Sequence, residues 1–231
     1  MQVDLIKSYR FEAAHATPWR DDPACLHGHS FEVELLVSGD CDPHLAWLMD
    51  YAEISTLFEP LFQQLDHQSL NEIDGLAAPT LEGLRLWIDA ELRPQLPLLK
   101  DVRVAICGDQ LFAPKLLHTD TSANLPERLR FTFEAAHALP NLPPDHKCHT
   151  MHGHSFSAEV GAAEVEALTP QLQELYEQLD HTCLNKIAGL ENPTSEAIAG
   201  WIWTKLSTNG ANLKAVVVAE TCTARCIYYG R

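Results

Sequence analysis

Basic residues are scarce in this chain: 16 Lys and Arg face 32 Asp and Glu among 231 residues, a formal net charge of −16. With a pI near 5.0, the balance argues against nucleic acid or an anionic membrane as partner, since both are bound through surplus positive charge. A phosphorylated substrate is not excluded, because a metal ion and backbone dipoles can hold phosphate inside an acidic protein. Long apolar runs are also missing. No stretch approaches the roughly 18 residues that a membrane span needs, and Met1-Gln2-Val3-Asp4 lacks the basic-then-apolar plan of a secretory leader. The seven cysteines are odd in number and irregularly spaced, which speaks against a disulfide framework and for a reducing, cytoplasmic setting. What is present is ordinary for a globular chain, 46% hydrophobic and 21% charged. The length suits two units of about 110 residues each.

The chain repeats itself. Phe11-Glu12-Ala13-Ala14-His15 returns as Phe133-Glu134-Ala135-Ala136-His137, an offset of 122. His27-Gly28-His29-Ser30-Phe31 returns as His152-Gly153-His154-Ser155-Phe156, and Leu65-Asp66-His67 as Leu179-Asp180-His181. That last block runs on, with Leu70-Asn71, Gly75-Leu76 and Pro79-Thr80 matching Leu184-Asn185, Gly189-Leu190 and Pro193-Thr194. Blocks in one order, twice, make the chain a duplication. Its units are expected at 1–118 and 127–231, joined by the polar, aperiodic stretch from His118 to Pro126.

Periodicity predicts the elements of each unit. Val3 to Ala14, Phe31 to Val37 and Leu129 to Ala136 alternate apolar with polar, as half-buried strands do. Ala52 to Leu65, Thr80 to Leu92, Leu168 to Leu179 and Thr194 to Leu206 carry helical spacing, with Thr80 and Thr194 placed to cap. Val102 to Ile106, Ala215 to Ala219 and Thr223 to Tyr229 read as short strands. Strands in sequence and helices grouped together predict an antiparallel α+β unit.

Each unit carries one histidine at a strand end and then a His-Gly-His: His15, His27 and His29, then His137, His152 and His154. Residues i and i+2 of a strand share a face, so the His-Gly-His pair can address one ion and the strand-end histidine can add a third nitrogen. Three imidazoles with a fourth position open is the pattern of a catalytic zinc. A satisfied core triplet is the competing reading, and its exact recurrence in register argues against it. Cys148, four residues before His152, would have a lowered pKa beside a cation and could act as base or nucleophile. Asp180-His181 reads as a candidate acid/base pair, the carboxylate orienting the imidazole. Cys222 and Cys226 lie about 13 Å apart if extended, so they are expected to be packing residues.

Cys148-x-x-x-His152-Gly153-His154, Ala135-Ala136-His137, Leu179-Asp180-His181, Asn192-Pro193-Thr194-Ser195-Glu196 and Glu220-Thr221-Cys222-Thr223 together resemble the 6-pyruvoyltetrahydropterin and 6-carboxytetrahydropterin synthase family. The resemblance spans nearly all of both halves. It implies two tandem tunnelling-fold (T-fold) units, each a four-stranded antiparallel sheet with two helices on one face, assembled into rings. It further implies Zn2+, held by His137, His152 and His154, and a 7,8-dihydroneopterin triphosphate substrate. Cys148 looks like the general base, with Asp180 and His181 completing a proton relay, and Glu220 looks like the acid that anchors the pterin ring. The leading expectation is the 6-carboxytetrahydropterin branch of queuosine biosynthesis, which releases acetaldehyde and triphosphate. The pyruvoyl-forming synthase and a non-catalytic pterin- or zinc-binding protein are the alternatives.

The halves depart from the pattern differently. In the first, Cys25 precedes His27 by two residues rather than four, a shift of about 6–7 Å along extended chain, and Ile106 stands where Glu220 would be matched. In the second, the stretch corresponding to Trp47-Leu48-Met49-Asp50-Tyr51 is missing. One expectation is a composite site, with Cys148, Glu220 and zinc from the second unit and Leu48 to Tyr51, Asp66 and His67 from a first. The other is a first unit that only completes a homo-oligomer, such as a trimer of two-unit chains.

Overall fold

The computed structural model describes residues 1–109, 111–118, 125–221 and 224–230. The first unit runs β1 (Gln2–Trp19), β2 (Asp22–Asp40), α1 (Tyr51–Leu65), the two-residue β3 (Gln68–Ser69), α2 (Leu81–Leu92) and β4 (Leu99–Ile106). After β5 (Lys115–Leu117), the second repeats the plan as β6 (Arg128–His137), β7 (His152–Ala162), α3 (Thr169–Leu179), β8 (Thr182–Cys183), α4 (Ser195–Thr208), β9 (Leu213–Thr221) and β10 (Ala224–Tyr228). The helices begin where the sequence places their caps. Thr80 Oγ1 accepts from Gly83 N at 3.1 Å, and Thr194 Oγ1 accepts from Ala197 N at 3.2 Å. The expected linker lies mostly outside the described residues, as do Cys222 and the start of the expected strand at Thr223.

The architecture is α+β, two sheets each with its helices. Along β2, Phe31, Val33, Leu35 and Val37 are all 1% exposed or less. They meet Ile54, Phe58 and Leu61 of α1 and Leu84 and Ile88 of α2 in one core. Phe156, Ala158 and Val160 of β7 repeat this against α3 and α4. The first sheet has four strands in the order β3-β1-β2-β4. Its β3 pairs parallel to β1, a departure from a purely antiparallel sheet. The second runs β10-β9-β7-β6-β5 with β8 also on β6, because Lys115–Leu117 crosses from the first unit's side to pair with Arg128–Arg130. That strand was not expected from three residues alone. Among the described residues, no helix is long and apolar enough to cross a membrane.

The two units meet where the repeated glycines lie. A Cβ on Gly28 would stand 2.4 Å from Gly153 Cα, and one on Gly153 would stand 2.2 Å from Gly28 Cα, so the strands cross backbone to backbone. Beside them Ser30 N donates to Ser155 Oγ and Ser155 N to Ser30 Oγ, both at 3.1 Å. The glycine in each His-Gly-His is therefore a docking requirement as well as a spacer.

Candidate active site and metal centres

Each triplet is built on one hairpin. His15 pairs with His27 and Ala13 with His29 across β1 and β2. His137 pairs with His152 and Ala135 with His154 across β6 and β7. All six rings are buried, none more than 7% exposed, and every Nδ1 has an oxygen partner. His15, His27, His137 and His152 donate to the carbonyls of Pro79, Cys25, Pro193 and Thr150 at 2.6 to 3.0 Å. His29 donates to Glu134 Oε2 at 2.6 Å and His154 to Glu12 Oε2 at 2.8 Å.

Where the ring is neutral these bonds fix the tautomer: Nδ1 carries the proton and Nε2 is left as a bare lone pair. In the first unit His15 Nε2 lies 3.0 Å from both His27 Nε2 and His29 Nε2. Burial holds His15 down at about 4 and His27 and His29 at about 3, so no imidazolium relieves the repulsion. In the second unit His137 Nε2 lies 3.1 Å from His152 Nε2, and His154 Nε2 is buried without a hydrogen-bond donor or acceptor partner. The carboxylate oxygen Glu220 Oε1 stands 3.1 Å from His154 Nε2 and 3.3 Å from His137 Nε2. Burial disfavours a charge on His154, and the Glu12 and Glu220 carboxylates outweigh it, lifting the ring to about 9; burial leaves His152 at about 2. Converging bare nitrogens with their far sides anchored to oxygen are the donor set of a divalent cation. Both triplets fit one, the second with Glu220 within the same 4.8 Å cluster.

The fold crosses the acid/base pairs between units. Asp66 and Asp180 end α1 and α3, and each accepts from its own unit's first strand, Glu12 N at 3.1 Å and Glu134 N at 2.9 Å. The next residue turns left-handed, φ 59° at His67 and 53° at His181, a strained conformation for a non-glycine residue. It is held by His67 N donating to Glu12 O and His181 N to Glu134 O. That turn throws each imidazole across the seam. His67 reaches the second triplet, its ring 4.4 Å from His152 and 6.0 Å from His154, with Nδ1 2.9 Å from Asp66 Oδ1. Cys148 Sγ clusters with His67 and His152 within 4.8 Å. His181 instead lies against the first triplet, 4.4 Å from His27, its Nδ1 on Asp180 Oδ2 at 2.7 Å. The sequence grouping of Asp180 and His181 with Cys148 is thus not what this chain brings together; Asp66 and His67 stand there instead.

The remaining candidates separate cleanly. Cys25 Sγ donates to the carbonyl of His181 at 2.9 Å and is not among the first triplet's clustered donors. Leu48 and Met49 pack on the first core and Asp50 caps α1 through Ala52 N, so this segment's contacts stay in its own unit. Cys226 packs against the second core. Burial and then Glu220 push the Cys148 thiol up, against the pull of Lys147; a cation among the neighbouring nitrogens would act in the opposite direction. Sequence reasoning missed Glu12 and Glu134 as partners of the opposite unit's histidine. Their signal lay in the repeated Phe-Glu-Ala-Ala-His block, where a carboxylate interrupts an otherwise buried strand.

Residues 4–107 and 128–231 each match the family described as 6-pyruvoyl tetrahydropterin synthase. A Synechocystis protein named 6-carboxy-5,6,7,8-tetrahydropterin synthase is 41% identical over 116 residues, 43% of this chain and 88% of the relative. A Pyrococcus furiosus protein named dihydroneopterin monophosphate aldolase is 33% identical over 100 residues, covering 42% and 81%. The solved structure of Caenorhabditis elegans 6-pyruvoyl tetrahydropterin synthase aligns with a TM-score of 0.42 at 18% identity, over 46% of this chain and 89% of that one.

Proposed function

Because the chain belongs to the 6-pyruvoyl tetrahydropterin synthase family, we propose that it is a zinc-dependent 6-carboxy-5,6,7,8-tetrahydropterin synthase with its active site at the second triplet. The substrate is 7,8-dihydroneopterin triphosphate, and with water it yields 6-carboxytetrahydropterin, acetaldehyde and triphosphate, a step of queuosine biosynthesis. The observation that carries the reading is a pair of adjoining donor clusters that share His152, one of His137, His152, His154 and Glu220 and the other of His67, Cys148 and His152. The 41% relative supports the carboxy branch over the pyruvoyl one. The two branches share elimination of triphosphate and differ in a final hydrolytic cleavage of the side chain's carbon–carbon bond.

Zn2+ would be held by His137, His152 and His154, and it would polarise the side-chain oxygens so that protons on the adjoining carbon become acidic. The protein's own groups do the rest. Cys148 Sγ takes the carbon-bound proton as thiolate. His67, oriented through Nδ1 by Asp66, delivers a proton to the oxygen side and takes one back in the following step. Glu220 accepts hydrogen bonds from the guanidine-like edge of the pterin, which fixes the side chain against base and metal. Glu12, from the first unit, holds the His154 ring in place. Edge strands such as β4 and β10 leave room for further pairing, and a ring of two-unit chains is the assembly we propose. The location is proposed as cytoplasmic.

The test is product analysis by mass spectrometry on 7,8-dihydroneopterin triphosphate, for wild type and Cys148→Ala. Carboxytetrahydropterin with acetaldehyde, lost in the variant, supports the reading. A pyruvoyl product moves the protein to the sister branch, and no turnover by folded, zinc-loaded protein removes catalysis altogether.

A further inference from the structure

We infer that the first triplet is a second divalent-cation centre, closed to pterin, whose cation fastens the second unit onto the first. The donor set is complete: His15, His27 and His29 present three Nε2 atoms to one point, two of the contacts being 3.0 Å, and all three Nδ1 atoms are engaged. Three buried neutral imidazoles suit a borderline ion of the zinc type rather than an oxygen-seeking one.

What surrounds the donors differs from the second site. Ile106 pairs with Phe31 at the end of β4, the position at which the second unit's corresponding strand carries Glu220, one residue beyond the pairing of Ala219 with Ser157. An isoleucine offers nothing to a pterin's polar edge. The neighbouring aromatic positions differ as well. The Trp19 indole lies flat on His181, ring centroids 3.6 Å apart and planes 7° from parallel, and its centroid is 6.5 Å from that of His27. At the repeat offset of 122, the second unit has Asn141 in that place, an exposed residue. A planar heterocycle stacking on His181 would find that face already taken by the protein's own indole.

The cover comes from the opposite unit. His181 and Glu134 both belong to the second unit, and Glu134 is 1% exposed. A cation on His29 Nε2 would extend through the ring and its Nδ1 to Glu134 Oε2, a cation–imidazole–carboxylate chain across the seam. Removing the cation leaves three facing lone pairs at that junction. The first unit therefore keeps its metal ligands for a structural reason after losing the groups that would handle substrate. This inference rests on the proposed function only in assigning substrate to the second site.

The experiment counts metal and pterin per chain. Wild type expressed with zinc should hold two equivalents by elemental analysis and bind one equivalent of neopterin by calorimetry, whereas His27→Ala should hold one zinc and unfold at a lower temperature. Cobalt-loaded wild type should show quenching of a tryptophan emission component that Trp19→Phe lacks, a readout that survives even if His27→Ala does not fold. One zinc per chain in wild type, two neopterins per chain, no Trp19 quenching, or an unchanged unfolding temperature in zinc-loaded His27→Ala would each overturn it. Two zincs without turnover would instead sink the enzymatic reading and leave this one standing.

Discussion

The two triplets share a hairpin, a register and a set of outer partners, yet they differ in almost everything else around the nitrogens. The second has a carboxylate at 3.1 Å from His154 and a thiol clustered with His152 and His67. The first has Ile106, a cysteine bonded to a carbonyl, and an indole stacked on the neighbouring His181. On the proposed reading, metal binding and substrate handling are thus separable properties of this fold. The hairpin supplies the first by strand pairing alone, and the second depends on residues at strand ends and loops, where a duplicated copy is free to drift. The crossing of Asp66-His67 and Asp180-His181 adds a second lesson. Each unit lends its relay pair to the other, so a unit can lose its own chemistry and still be needed.

The sharpest way to break that comparison is to remove the two cysteines in turn. Cys148→Ala should cut kcat by about 10²–10⁴-fold, the range for loss of a positioned proton-transfer group, with zinc content unchanged. Cys25→Ala should stay within about twofold, since its sulfur bonds a backbone carbonyl. Equal losses in steady-state assays would mean that both units turn over.

The relay histidines come next. His67→Ala should lower kcat by about 10²-fold or more through loss of proton transfer. His181→Ala should act first on unfolding temperature and zinc content, with a far smaller change in kcat. If His181→Ala gave the larger kinetic defect, the pair reaching Cys148 would come from another chain of the assembly rather than from the first unit of the same one.

Much of this was legible in the sequence. Alternation gave the strands and Pro-Thr gave the helix starts, because strand and cap signals are local. The histidine triplets were legible because i, i+2 spacing on a strand and strand-end pairing are consequences of backbone geometry. The crossing was not. Leu65-Asp66-His67 shows a helix end, and nothing in those residues tells that the left-handed turn at His67 aims the ring at another unit. The Gly28–Gly153 contact was equally hidden: nothing in either His-Gly-His tells that its glycine allows two backbones to touch. Glu12 is intermediate, visible as an out-of-place carboxylate, while its partner 142 residues away could come only from the fold.

That partner gives the third test. Glu12→Gln keeps the size and removes the charge behind His154, so zinc affinity at the second site should fall about 10–100-fold, with kcat per bound zinc changed much less. Glu134→Gln should produce the same loss at the first site, read by competition with a chromophoric chelator. A single shared loss in both variants would show that the carboxylates support the seam generally and not individual rings.

The smallest effect concerns parts the two units hold in common. Thr80 and Thr194 each accept from the amide three residues on, at 3.1 and 3.2 Å, and each closes the first turn of a helix that packs on its own core. Replacing either by Ala leaves that amide unsatisfied and should cost about 1 kcal/mol, read as a shift in thermal unfolding. Here the units should respond alike, since capping has nothing to do with substrate. A first unit that had decayed into loose scaffold would melt separately, and Thr80→Ala would then move only an early transition. Because β1 and β2 pack against β6 and β7 and the serines and glycines interlock at the seam, we expect one transition, shifted by a similar amount in both variants.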